Sequence, residues 1–174
     1  APLGHDFAED ITFTVDYDEN GETVITIKGD VVPEVVMTDE WKEYNVVISK
    51  TDVAGEELAG AVLTLKDAKG KVVESWKSTG SAKEVTVVPG TYTLTEDQTP
   101  LGYKTAETIT FTVTVDKENQ AVVTVDGETV EEVTMIDARK DSKTVISKAD
   151  VAGRELAGAE LTITAEDGTV VESW

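Results

Sequence analysis

The sequence predicts an all-β protein, an Ig-like antiparallel β-sandwich that occurs in tandem repeats. Valine and threonine dominate, and apolar residues alternate with polar residues over short stretches, as in strands with one buried face. Turn signals that contain glycine separate these stretches, and no long stretch has the spacing of an amphipathic helix. Apolar residues make up 40% of the 174 residues, which is enough to form a core.

One segment of the sequence occurs twice, 98 residues apart. Residues 47–76 and 145–174 are identical at 21 of 30 positions, and residues 11–15 align with 109–113 at the same offset without a gap. Since the repeat unit has 98 residues, we predict three parts: the rear of a preceding unit, a complete domain, and the front of a following unit. These parts are 1–42, 43–140 and 141–174. The two partial units lack 22 residues of a second copy, which correspond to 77–98.

The strands of the complete unit follow from its alternating stretches, taken in order. The first strand is VVISK, and the glycines of AGEELAG limit the next segment to a short turn. Roughly seven short strands in about 98 residues favour a sandwich. The other predicted strands are TYTLT at 91–95, TITFTVTV at 108–115 and VTMID at 133–137. The turn signals of the unit are Lys69-Gly70, Pro89-Gly90 and Asp126-Gly127.

The charge and the composition exclude several classes of function. The formal net charge is −20, from 35 acidic and 15 basic residues, which argues against binding to nucleic acid phosphates or anionic membranes. No apolar stretch is long enough to insert into a membrane. There is no cysteine, and His5 is the single histidine. We therefore expect no cofactor, no thiolate or multi-histidine metal site, and no disulfide.

Three charged residues lie on strands at positions that alternation turns inward. Lys50 is two positions after Ile48, Glu96 is two positions after Leu94, and Asp137 is two positions after Met135. Each of the first two is also compatible with an exposed strand end, where a lysine extends its ammonium to water. Asp137 is also compatible with a turn, since a buried aspartate is rare unless it is paired.

Other carboxylates are weaker candidates. The segment 16–21 (DYDENG) resembles the start of a calcium loop, but the twelfth position is Ile27 where a glutamate is required. An acidic hairpin turn closed by Asn20-Gly21 is the alternative that we favour. Pairs of carboxylates such as those of glycosidases arise by chance among 35 acidic residues.

Four blocks in order carry a resemblance to a known family. They are ISKTDVAGEELAGA, YTLTEDQTPLGY, ITFTV and VTMIDARK. Together they resemble the Cna B-type domain of Gram-positive surface adhesins and SpaA-like pilins, including the domain that was split into a peptide tag and a catcher protein. The resemblance covers the middle unit and both partial units.

The resemblance implies an intramolecular isopeptide bond. It places the lysine at Lys50, the acceptor at Asp137 and the assisting glutamate at Glu96. Burial disfavours the charged form of a lysine, so a neutral amine is available as a nucleophile. We expect the amine to attack Asp137 while protonated Glu96 polarises the carboxyl group and carries the proton, with loss of water. Each domain reacts once, so this is self-modification without turnover, and the chain is not an enzyme.

The partial units carry incomplete sets of these residues. The rear part has an acceptor at Asp39, the front part has a lysine at Lys148, and the equivalent of Glu96 falls in the missing piece. We expect copies of the chain to assemble head to tail through these parts, with Asp39 and Lys148 as an intermolecular cross-link. A peptide equivalent to 77–98 is the expected partner that completes the set.

These inferences lead to a structural function. We expect a stalk or spacer repeat of a surface adhesin or pilin, extracellular and attached to the cell wall in the parent protein. One alternative is an adhesin module for a host ligand, although aromatic residues are only 6%. Trp76 and Trp174 are equivalent and are expected to pack structurally, whereas Trp41 aligns with Arg139. Another alternative is an engineered split domain for ligation or self-assembly, which the positions of the breaks favour.

Overall fold

A computed structural model describes residues 1–174, and contacts divide them into two compact units, 1–140 and 141–174. All regular structure is β, which confirms the predicted all-β class, while the tandem repeats stay a prediction. None of the described residues forms a helix long and apolar enough to cross a membrane. The 14 strands of the chain are β1 (Phe13–Tyr17), β2 (Thr23–Ile27), β3 (Asp30–Val32), β4 (Tyr44–Asp52), β5 (Ala59–Asp67), β6 (Val72–Thr79), β7 (Lys83–Val87), β8 (Gly90–Gln98), β9 (Ile109–Val115), β10 (Ala121–Val125), β11 (Glu128–Val130), β12 (Glu132–Asp137), β13 (Thr162–Thr164) and β14 (Val170–Ser173).

Strands β4 to β12 form two sheets that enclose one core. The larger sheet has the order β11-β10-β9-β8-β5-β6, and the smaller has the order β12-β4-β7. Every neighbouring pair is antiparallel except β12 and β4, which run parallel with Met135 beside Lys50 and Asp137 beside Asp52. The first and last strands of the unit therefore lie side by side.

The core follows from the alternation in the sequence. Inward-facing side chains are 9% exposed or less, and Tyr92 stacks on Phe111 with ring centroids 5.6 Å apart. Trp76 packs at the edge of this core. The fully buried apolar side chains of the two sheets include Ile48, Leu63, Leu65, Leu94, Phe111, Val113, Val133 and Met135.

Several hairpin turns share one hydrogen-bond pattern. In the first, Asp18 Oδ1 accepts hydrogen bonds from the backbone N–H groups of Asn20 and Glu22 at 2.8 and 2.9 Å. The residue three positions after the aspartate has a positive φ, 78° at Gly21, which glycine adopts without steric cost. Because the aspartate binds its own backbone, it fixes the turn that joins β1 to β2. The same pattern of aspartate hydrogen bonds occurs at Asp52, Asp67, Asp116 and Asp150.

The two sequence-predicted partial repeats have local pairings equivalent to those of the central strands. Strands β1, β2 and β3 form a sheet with the bounds of β2 and β3 displaced by 98 residues from those of β10 and β11. In the second unit, β13 and β14 pair as the corresponding parts of β5 and β6 do. The division of the chain into 1–42, 43–140 and 141–174 stays a prediction.

Within the first unit, the N-terminal turn packs against the end of the central sandwich. The Gly4 N–H donates to Asn119 Oδ1 at 2.8 Å, and the Tyr44 hydroxyl donates to the same oxygen at 3.2 Å. Gly4 has φ = 77°, and a Cβ at this position would lie 2.9 Å from a methyl carbon of Val115. Glycine is therefore required here by both conformation and space.

Candidate functional site

The first residue of the candidate site is Lys50, a buried lysine on β4. Val46, Ile48 and Lys50 project from the same face of this strand into the core, because side chains alternate along a strand. Lys50 is only 2% exposed. Its amine therefore cannot reach bulk water as a surface lysine does, and it depends on the groups around it.

Asp137 meets this lysine because β12 runs parallel to β4. The register pairs Met135 with Lys50, and the aspartate follows two positions later on the same face of β12. The distance from Lys50 Nζ to Asp137 Oδ1 is 2.5 Å, and Nζ also donates to the backbone oxygen of Met135 at 3.4 Å. The Asp137 side chain is completely buried. The parallel pairing of the first and last strands therefore brings an amine and a carboxyl group into contact.

Glu96 approaches from the other sheet. It follows Tyr92 and Leu94 along the inward face of β8, and its side chain is also completely buried. Its Oε1 lies 3.6 Å from Lys50 Nζ. Its Oε2 accepts hydrogen bonds from the Thr99 hydroxyl at 3.0 Å and from the Ala106 N–H at 2.9 Å. The three predicted side chains thus lie together in the core.

The site contains one amine and two carboxyl groups that are shielded from bulk solvent. Neither oxygen of Asp137 accepts a hydrogen bond, and neither does Oε1 of Glu96. Nζ and Oδ1 of the Lys50–Asp137 pair are closer than a usual N–H···O bond, yet they meet outside hydrogen-bond geometry. Unpaired buried polar atoms destabilise a protein, and conversion of the amine and a carboxyl group into an amide removes both charges. The arrangement is suited to that condensation.

The two residues predicted for intermolecular cross-linking lie elsewhere. Asp39 is half-buried in the first unit, where its Oδ1 accepts a hydrogen bond from the Ala8 N–H at 3.1 Å. Lys148 is exposed in the second unit. Their role as a cross-link stays a prediction.

The segment that resembles a calcium loop forms a hairpin turn. Asp18 uses one carboxylate oxygen for backbone N–H groups, and these hydrogen bonds, foremost that from Glu22, lower the pKa of its carboxyl group. No group of three or more His, Cys, Asp or Glu side chains is arranged to hold a metal ion.

Sequence reasoning missed the residues that hold Glu96. Thr99 and Ala106 lie in the irregular segment between β8 and β9, so strand alternation carries no information about them. The turn signal Pro100-Leu101-Gly102 was the available indication. The Tyr103 N–H donates to the Pro100 oxygen at 3.2 Å, and the chain reverses there toward the end of β8.

Comparison with known proteins assigns the fold to a family. Residues 44–129, which hold Lys50 and Glu96, match the family model described as the SpaA prealbumin-like fold domain. The central part of this chain is thus similar to a SpaA domain. This agrees with the resemblance to Cna B-type and SpaA-like domains, and the SpaA domain carries both the lysine and the glutamate of the site.

Solved structures similar to the chain include two pilus adhesins. The SpaC adhesin of Lactobacillus rhamnosus GG, in its open conformation, is 20% identical, with a TM-score of 0.50. The match covers 83% of this chain and 24% of SpaC. The pilus-presented adhesin Spy0125 (Cpa) is 32% identical over 51% of this chain and 27% of that protein, with a TM-score of 0.40.

The chain therefore spans about a quarter of the length of these adhesins. At 20% identity, the likeness to SpaC shows the fold alone. No curated protein matches the chain.

Proposed function

We propose that the SpaA domain cross-links itself through an amide between Lys50 Nζ and Asp137 Cγ. The observation that carries the proposal is the 2.5 Å contact between Nζ and Oδ1, inside a site whose side chains are 2% exposed or less. The fold holds both reactants together, so the bimolecular step becomes an intramolecular one. Glu96 Oε1, 3.6 Å from the amine, is the group that transfers protons.

The reaction balances without a cofactor. The low-polarity interior disfavours separate charges, and we propose that the pair reacts as neutral amine and carboxylic acid. The nitrogen lone pair forms the C–N bond at Cγ of Asp137. Protonated Glu96 gives its proton to the departing oxygen, which leaves as water when the C–O bond breaks, and takes one proton from the nitrogen in return. Glu96 ends in its starting state, and the domain reacts once.

The cross-link suits a mechanical role. A covalent bond between the first and last strands prevents them from separating when tension is applied to the two ends of the unit. We propose that the chain is part of a stalk of a surface pilin or adhesin, extracellular and attached to the cell wall. The SpaA family assignment and the SpaC fold support this role.

The test is the intact mass of the purified chain under denaturing conditions. We expect a mass one water below that of the sequence. Lys50→Ala, Glu96→Ala and Asp137→Ala should each restore the full mass, whereas Lys66→Ala, at a half-buried lysine outside the site, should keep the loss of water. A full mass for the parent chain would overturn the proposal.

A second proposal concerns the partial repeats. In the first unit, Phe13 and Met37 are 47% and 58% exposed, although the equivalent Phe111 and Met135 are 1% and 0% exposed. In the second unit Ile146 is 45% exposed, and its equivalent Ile48 is 2% exposed. Side chains at core positions are thus uncovered in both. We propose that these faces meet between two copies of the chain, with Asp39 and Lys148 as the reacting pair.

Sheet order identifies what this assembly requires. In the central domain β8 lies between β9 and β5, so the equivalents β1 and β13 need a strand like β8 between them. A peptide of residues 77–98 would contain that strand and the glutamate. With this peptide added, we expect a ladder on a denaturing gel. The ladder should be lost in Asp39→Ala and Lys148→Ala chains, and a monomer in every mixture would contradict the assembly.

A further inference from the structure

The two carboxyl oxygens of Glu96 have different surroundings. Oε2 accepts one hydrogen bond from the Thr99 hydroxyl and one from the Ala106 N–H, at 3.0 and 2.9 Å. Oε1 accepts none and is the oxygen 3.6 Å from Lys50 Nζ. The side chain is therefore oriented, with one oxygen held by donors and the other directed at the reacting amine.

The Thr99 hydroxyl is itself oriented by a second hydroxyl. Its oxygen lies 2.8 Å from the hydroxyl oxygen of Thr105. Because Thr99 has one hydroxyl hydrogen and donates it to Glu96, the hydrogen between the two threonines comes from Thr105. Thr105 is exposed and Thr99 is half-buried. A short chain of hydrogen bonds thus runs from the surface to Oε2.

We infer that Thr99 is a positioning residue that determines which oxygen of Glu96 carries the transferred proton. This inference rests on the proposed cross-linking reaction. Both acceptor sites of Oε2 are occupied by donors, so the proton of the neutral acid resides on Oε1, which faces Lys50. Rotation about the terminal torsion of a glutamate is otherwise soft. Without the Thr99 hydroxyl, one donor remains and either oxygen can face the amine.

The first partial repeat has no hydroxyl side chains at the positions that align with Thr99 and Thr105. Ala1 and Phe7 align with Thr99 and Thr105, while Ala8 aligns with Ala106. Both hydroxyls are absent there together, whereas the position of the backbone donor is kept. Because the second donor to Glu96 is the backbone N–H of Ala106, Thr99 can be replaced without removing that donor.

The test measures the rate of water loss in newly made chains. Full-length protein is synthesised without cells, quenched in acid at intervals, and weighed intact. We expect Thr99→Val, which keeps the shape without the hydroxyl, to slow the reaction by about tenfold, a part of what general acid–base catalysis contributes. Thr99→Ser should react within about twofold of the parent, because it keeps the donor. All three should finally lose one water from the mass of their own sequence.

The outcomes separate a positioning role of Thr99 from an effect on folding and from a failure of the proposed cross-linking reaction. A Thr99→Val rate equal to that of the parent would overturn it, and so would Thr99→Ser as slow as Thr99→Val. The same substitutions in a Lys50→Met chain, which cannot react, test folding. Thr99→Val and Thr99→Ser should unfold there at the same guanidinium concentration, and a lower value for Thr99→Val would assign the rate loss to folding and overturn the inference. A parent chain that never loses water overturns the proposed function itself.

Discussion

Blocking the cross-link without removing the ion pair isolates the effect of the bond on stability. Glu96→Gln removes the proton carrier and leaves Lys50 and Asp137 in contact. The amide between them would close a loop of roughly 90 residues, and a cross-link of that size destabilises the unfolded chain by about 4 to 5 kcal/mol. Glu96→Gln should therefore lose about that free energy of unfolding. Lys50→Met also leaves Asp137 buried without its partner, which costs about 3 to 5 kcal/mol more.

The assay is guanidinium unfolding followed by circular dichroism, with intact mass measured on the same samples. A loss of 4 to 5 kcal/mol lowers the midpoint of a small domain by about 1 to 2 M. Glu107→Gln, at an exposed position, is the control and should keep both the loss of one water and the parent midpoint. If Glu96→Gln has the full mass and the parent chain lacks one water, yet their unfolding curves coincide, the stabilising role of the bond is refuted.

Three further predictions concern the core, the junction and a turn. Phe111→Ala should lower the free energy of unfolding by about 3 to 5 kcal/mol. Phe13→Ala, at the equivalent but exposed position, should lower it by less than about 1 kcal/mol. Equal losses would contradict the burial of Phe111. Gly4→Ala and Gly102→Ala both place alanine at positive φ, but only the first introduces a clash. Gly4→Ala should therefore weaken the packing of the N-terminal turn on the central sandwich by about 1 kcal/mol, whereas Gly102→Ala should leave that packing unchanged. The measurement is hydrogen exchange at residue 4, which should be faster in Gly4→Ala. By NMR, Asp18 should titrate below the usual range for aspartate because the hydrogen bonds of its turn lower its pKa. The contribution of Asp18 to stability is present above the pKa of the unfolded state and is lost as the pH falls through the pKa of the folded state. Titration of Asp18 in the usual range would contradict the turn.

Much of the site could be predicted from the sequence because strand alternation is a local rule. Ile48 and Lys50, like Met135 and Asp137, are two residues apart, and a period of two is enough to place each pair on one face. The family resemblance then named the three partners. Alternation alone could not distinguish a buried site from exposed strand ends, since it contains no information about what covers a face.

The remainder depends partly on contacts distant in sequence and partly on irregular chain. The parallel pairing of β4 with β12 joins segments more than 80 residues apart, and neither segment encodes the direction of its partner. The support of Glu96 by Thr99 and Ala106 arises where irregular chain folds back on a strand end, for which no periodic pattern exists. The turn aspartates are a different case. The spacing of Asp18 and Gly21 recurs along the chain as D-x-x-G, and it was readable in the sequence.

The most direct test of the covalent cross-link is a fragment mass spectrum of the digested parent chain. The cross-link predicts a branched peptide in which the segment containing Lys50 is joined to the segment containing Asp137, one water lighter than the two together. Two separate peptides with unmodified masses, from a chain of full intact mass, would contradict it.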